Sequence, residues 1–126
     1  MKRNRRIKRS RLQTIYVRTR SVTKDGEGVP IETYAEAYEK QAELWPAGEH
    51  RQVETYGDRI TGISNMRVQG AYEVNAGASE GITFADGSTL KPGDGICVDR
   101  AADEAPDYRV LTITPYRPVR LEIERV

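Results

Sequence analysis

The sequence predicts a mostly β protein: a small antiparallel β-barrel of six or seven strands with one short helix and long loops. Three observations carry this reading. The last stretch, Tyr108–Val126, alternates with a period of two on either side of Thr114-Pro115-Tyr116-Arg117-Pro118, the pattern of a hairpin. Upstream, short β-branched runs are separated by turn signals such as Asp25-Gly26, Asp86-Gly87 and Pro92-Gly93. The apolar content is only 37%, with one Trp and one Phe in 126 residues, which suits a thin core under an extensive surface.

Charge divides the chain. Lys2, Arg3, Arg5, Arg6, Lys8, Arg9 and Arg11 crowd into the first eleven residues, and the remainder carries 13 basic against 19 acidic residues, a net charge of about −6. Residues 1–11 are thus a basic N-terminal arm, and residues 12–126 a single acidic barrel domain. The arm self-repels and has little to bury except Ile7, so it is expected to be disordered in isolation. It can contact phosphates or an acidic neighbouring subunit, or serve only as a solvated tail. No apolar run is long enough to span a bilayer, and no hydrophobic signal segment follows the basic start. The expectation is a soluble protein made in the cytoplasm, with no membrane partner.

Leu12–Thr23 reads as the first strand, with Ile15 and Val17 on one face and Tyr16 and Arg18 on the other. Lys24–Gly28 turns the chain, and Val29–Tyr34 returns as a strand with Pro30 near an edge. Tyr34–Trp45 mixes two periods. Tyr34, Tyr38, Ala42 and Trp45 fall at helical spacing, whereas Gln41, Glu43 and Trp45 alternate with Ala42 and Leu44. The reading is a short helical turn near Ala35–Tyr38 followed by a strand to Trp45, closed by Pro46-Ala47-Gly48. Trp45, Tyr56 and Tyr116 are candidate core or interface anchors.

Val53, Tyr56, Ile60 and Ile63 share a helical face, but Gly57 and Gly62 each cost about 1 kcal/mol in a helix interior. A short helix ending at Gly57 follows, with a bent strand as the rival. Met66–Val74 is a strand candidate in which Gly70 suggests a bulge. Asn75-Ala76-Gly77-Ala78-Ser79-Glu80-Gly81 has no periodicity and reads as the mobile loop of the domain. Ile82–Phe84 is short, Gly95–Asp99 is an apolar strand entered through Pro92-Gly93, and Arg100–Pro106 is a polar, acidic loop. In the closing hairpin, Arg109, Leu111 and Ile113 alternate with Tyr108, Val110 and Thr112, then Val119, Leu121 and Ile123 with Arg120, Glu122 and Glu124.

No catalytic residue, cofactor or metal site is assigned. The glycines sit between strands rather than opening a helix, so a phosphate-binding loop is absent. Asp94, Asp99, Asp103, Glu104 and Asp107 lack the spacing of a Ca²⁺ loop and read as a solvated acidic face. Asp94 and Asp99 are the carboxylate pair to mutate in testing an enzyme reading. Cys97, between Ile96 and Val98, reads as a buried small hydrophobe, and His50 stands in a polar stretch. Ser79 and Ser88 lie in loops without a histidine partner.

The order of short motifs carries a resemblance. Asp25-Gly-Glu-Gly-Val-Pro-Ile-Glu-Thr-Tyr34, Ala42-Glu-Leu-Trp-Pro-Ala-Gly48, Tyr56-Gly-Asp-Arg59, Met66-Arg-Val-Gln-Gly70, Pro106-Asp-Tyr-Arg-Val110 and Tyr116-Arg-Pro118 succeed one another as in the head closure proteins of long-tailed phages, also called head-tail joining or stopper proteins. The resemblance runs from about Leu12 to the end of the chain; the basic arm and the long Asn75–Gly93 segment depart from it. It implies a small β-barrel subunit of a homo-oligomeric ring in the virion neck, with the adaptor and portal ring above and a tail tube or tail terminator below. Genomic double-stranded DNA would pass through the channel that the ring closes after packaging. In such a ring the acidic body of this chain is expected to line or rim the conduit without gripping phosphates and the arm to reach an acidic face of the adjacent ring, and the glycines of Asn75–Gly81, which can rearrange between closed and open states, make it the expected channel-facing segment. The rival classes are a small-barrel nucleic-acid-binding protein that uses the basic arm, and an enzyme.

Overall fold

A computed structural model of the chain describes residues 7–75 and 81–126. Lys2, Arg3, Arg5 and Arg6 of the arm, and Ala76 to Glu80 of the loop expected to be mobile, lie outside the described residues.

Six antiparallel strands close a barrel in the order β1-β4-β5-β11-β10-β9. They are β1 (Gln13–Arg18), β4 (Tyr38–Pro46), β5 (Ile63–Val68), β9 (Gly95–Cys97), β10 (Tyr108–Thr114) and β11 (Val119–Arg125). Alternation sends Ile15, Val17, Ala42, Met66, Val68, Val119, Leu121 and Ile123 inward, each essentially without solvent exposure. Two smaller sheets are appended. The hairpin β2 (Arg20–Lys24)–β3 (Pro30–Tyr34) stands outside the barrel, while β6 (Tyr72–Val74), β7 (Ile82–Phe84) and β8 (Thr89–Leu90) add Tyr72, Ile82, Phe84 and Leu90 to the barrel core.

The strand expected over Leu12–Thr23 breaks at Thr19. Arg18 still pairs with Gly95 of the barrel, but the Arg20 N–H donates to the Asp94 carboxylate at 3.0 Å and the chain leaves as β2. The Arg18 guanidinium fixes this departure by donating to the carbonyls of Tyr34, Ala35 and Glu104. Gly95 lies under the same corner, where an added Cβ would meet Pro106 Cγ at 2.4 Å and Tyr34 Cε1 at 2.8 Å.

The helical turn expected near Ala35–Tyr38 does not form. The Ala35 N–H donates to the Thr19 carbonyl, and Tyr38 already pairs with Val17, so barrel pairing overrides local helix propensity. The short helix does form, as α1 (His50–Tyr56), opened by a capping box between Glu49 and Gln52 and ended at Gly57, after which a 3₁₀ segment runs to Gly62. Gly70, at φ +126°, marks more than a bulge: it separates β5 from β6, which belong to different sheets.

The closing hairpin shifts phase once. Val110 faces Ile123 and Thr112 faces Glu122, so Leu111 is an extra residue, and the inward set runs Tyr108, Val110, then Ile113. A strict alternation of Arg109, Leu111 and Ile113 is therefore interrupted. The described end of the arm is also seated on the barrel, since Ile7 is buried and its N–H donates to the Gln69 side chain at 3.2 Å.

Candidate functional site

The expected acidic face divides in two. Asp99, Asp103 and Glu104 are exposed, but Asp94 and Asp107 are buried, at 1% and 7% exposure. Both buried carboxylates serve the backbone. Asp94 accepts from the N–H groups of Arg20 and Lys91 and from Lys91 Nζ at 2.8 Å; Asp107 accepts from the N–H groups of Val98 and Asp99 at 2.8 and 2.9 Å. These bonds occupy acceptors that would otherwise leave donors stranded. A catalytic pairing of Asp94 with Asp99 has no support in this arrangement. Cys97 is buried, and burial pushes its thiol up, away from the thiolate a nucleophile requires. Ser88 is buried and donates to Asp86. His50 is exposed at the start of α1, 2.9 Å from Glu54. Among the described residues, no group of His, Cys, Asp or Glu side chains is placed to hold a metal, and no helix is long and apolar enough to cross a membrane.

The polar groups that do converge lie on the outer wall of β4, β5 and β11. In β11 the inward residues are Val119, Leu121 and Ile123, which leaves Arg120, Glu122 and Glu124 outward. Helix α1 lies over them. Gln52 donates to Glu122 at 2.8 Å, Tyr56 OH donates to it at 3.0 Å, and Thr112 of β10 donates at 2.7 Å. Burial alone would raise the Glu122 carboxyl, but these donors, joined by the Arg120 charge, outweigh it and hold the group below the usual carboxylate range. Burial and the bond to Glu122 push Tyr56 up to about 12. Asn65, fully buried on β5, accepts from the Gln52 amide. Further along, Arg59 and Arg109 both donate to Glu124.

The other half of this wall is cationic and aromatic. Trp45 is half-buried, with the Arg67 and Arg120 guanidiniums 5.1 and 5.6 Å from its ring. Arg67 pairs with Glu43, Arg120 with Glu49. The β10–β11 turn supplies Tyr116, Arg117 and Pro118, the last after a cis peptide bond. Arg117 donates to the Tyr72 carbonyl and lies 4.0 Å from the Tyr72 ring, whose hydroxyl donates to the Tyr116 carbonyl. Trp45, Arg67, Tyr116, Arg117, Pro118 and Arg120 line a cleft of about 270 Å³. Tyr116 and Arg120 also border the neighbouring depression over Gln52 and Glu122.

The three anchors expected from sequence thus gather on one wall but do not enter the core: Trp45 and Tyr56 are half-buried and Tyr116 is 60% exposed. The arginines around them and the Glu122 acceptor were not singled out by motif. Their signal was the outward parity of Glu43 and Trp45 on one strand and of Arg120 and Glu122 on another.

A second cleft, about 300 Å³, lies beside Lys40 and Asp86. Lys40 is buried but satisfied, since its Nζ lies 2.6 Å from Asp86 and 4.1 Å from the Phe84 ring centre. Burial would raise Asp86, but the bonds from Lys40 and Ser88 bring it down to about 2. This pair has the character of a structural tie.

No family model, curated protein or solved structure matches the chain.

Proposed function

We propose that the chain is a structural neck protein of a long-tailed phage, one subunit of a ring between the portal or adaptor and the tail that closes the head after DNA packaging and gives the tail its attachment surface. The ordered motifs support this reading, and one structural observation carries it. The β2–β3 hairpin leaves a closed barrel and meets solvent on both faces, with Val22, Val29 and Ile31 at 50%, 52% and 43% exposure. A two-stranded ribbon is marginal by itself in water. A closed barrel also has no free sheet edge to which a neighbour could add a strand, and a projecting hairpin of this kind offers a neighbour apolar side chains instead. In an assembling subunit the hairpin's apolar residues are covered by the next protomer. The test is co-sedimentation with packaged, tailless heads, comparing the natural chain with V22D/I31D. Binding that the double variant loses supports the proposal; equal binding, or none by either protein, contradicts it.

The second reading is a small-barrel nucleic-acid-binding protein. It draws on Lys8, Arg9 and Arg11, which are all exposed at the described end of the arm. Its mark would be tight binding to short DNA that weakens steeply with salt.

A further inference from the structure

The cleft at Trp45 departs from what stability alone would select. Arg67 on β5 and Arg120 on β11 stand directly opposite each other in register, and like charges so placed destabilise a sheet. Arg117 adds a third guanidinium from the adjoining turn. Arg67 Nε is shielded from solvent and makes no hydrogen bond among the described residues. Glu43 and Glu49 pair with Arg67 and Arg120, and Glu122 adds a third carboxylate beside Arg120, whereas Arg117 forms no ion pair among the described residues; the three guanidiniums and the exposed Tyr116 line a cavity of about 270 Å³.

We infer that this cleft is a docking site for an acidic segment of a protein partner, one carboxylate side chain entering between Arg67, Arg117 and Arg120 while the partner's backbone runs along Tyr116. A guanidinium group presents planar paired donors that match a carboxylate, and Arg67, Arg117 and Arg120 all line the cleft. Charge complementarity selects this occupant over a nucleic acid. A polynucleotide needs a continuous positive track and free aromatic faces for its bases. Here Glu43, Glu49 and Glu122 interrupt the track, and Trp45 is already engaged by two guanidiniums. The site does not depend on ring formation.

Trp45 is the single tryptophan of the sequence, so its emission reports directly on the cleft. The full chain is titrated with a hexaglutamate peptide, a hexaserine peptide and a short single-stranded oligonucleotide. Hexaglutamate is expected to change the emission saturably and hexaserine to leave it unchanged, with binding weakened by added salt and about fivefold by R67Q and by R117Q. Equal responses to both peptides, no response, or unaltered binding by folded variants would overturn the inference. An oligonucleotide that acts at lower concentration than hexaglutamate would overturn it in favour of a phosphate site. If both variants fail to fold, the contrast between the two peptides on the natural chain, and its salt dependence, decides alone.

Discussion

Arg67 and Arg120 occupy one rung of the barrel wall, directly opposite each other on β5 and β11, and Trp45 of the next strand lies within 5.1 and 5.6 Å of their guanidiniums. The aromatic ring and two glutamates make this like-charged rung tolerable. The same wall continues into the Glu122 network beneath α1, so one face of the barrel combines a carboxylate held by three uncharged donors with a cleft lined by three guanidiniums.

Removing the ring should therefore cost more than its half-buried area implies. Trp45→Ala is expected to destabilise the chain by about 2–3 kcal/mol, from lost aromatic burial and two lost cation–π contacts. Thermal unfolding followed by far-ultraviolet circular dichroism checks this. A loss below about 0.5 kcal/mol would mean that the two arginines separate without help.

Glu122 supplies the pH dependence. Its folded carboxyl lies below the ordinary value of 4.5, so the unfolded chain binds the proton first on acidification. Its contribution is thus present above about pH 4.5 and is lost as pH falls through the lower folded value. Glu122→Gln turns an amide N–H₂ toward groups that donate, at a cost of about 1–3 kcal/mol near neutrality. The difference in urea midpoint between the natural chain and this variant should stay constant from neutral pH to about pH 5 and shrink below it. A difference that grows on acidification would contradict the assignment.

Lys40 and Asp86 should respond unequally. Lys40→Met replaces a buried ammonium with an apolar chain of similar length and is expected to leave stability unchanged or raise it, because Asp86 is half-exposed and can be hydrated. Asp86→Asn leaves the Lys40 charge buried beside Phe84 without its partner and should cost about 1–3 kcal/mol. Equilibrium urea unfolding of both variants settles the order.

At the base of the projecting hairpin, Gly95→Ala places a methyl group within 2.4 Å of Pro106 and 2.8 Å of Tyr34. Overpacking there is expected to cost about 1–3 kcal/mol or more. Amide exchange should locate the loosening at Ala35 and Arg20, whose N–H groups hold the hairpin to the barrel. Loosening confined to distant strands would refute the role given to this corner.

The sequence was informative wherever one short window decided the outcome. Alternation placed Ile15, Val17, Val119, Leu121 and Ile123 inside, Asp25-Gly26 made the first turn, and Gly57 ended α1. What failed depended on partners far along the chain. Nothing near Asp94 or Asp107 announces that the N–H groups of Arg20 and Val98 need their carboxylates, and polar residues beside a turn read as solvated. The extra residue at Leu111 is invisible because the apolar pattern continues on either side of it. Arg67 and Arg120 become neighbours only through the β5–β11 register. For the same reason Trp45 was legible as an anchor, but the arginines that surround it were not.

The most direct test of the neck proposal is imaging of packaged, tailless heads after addition of the protein, with retained DNA measured in parallel. The account predicts ring-shaped density at the portal vertex and DNA held inside the head. Heads that stay bare and leak DNA, while the protein binds free DNA in a steeply salt-dependent manner, would contradict it.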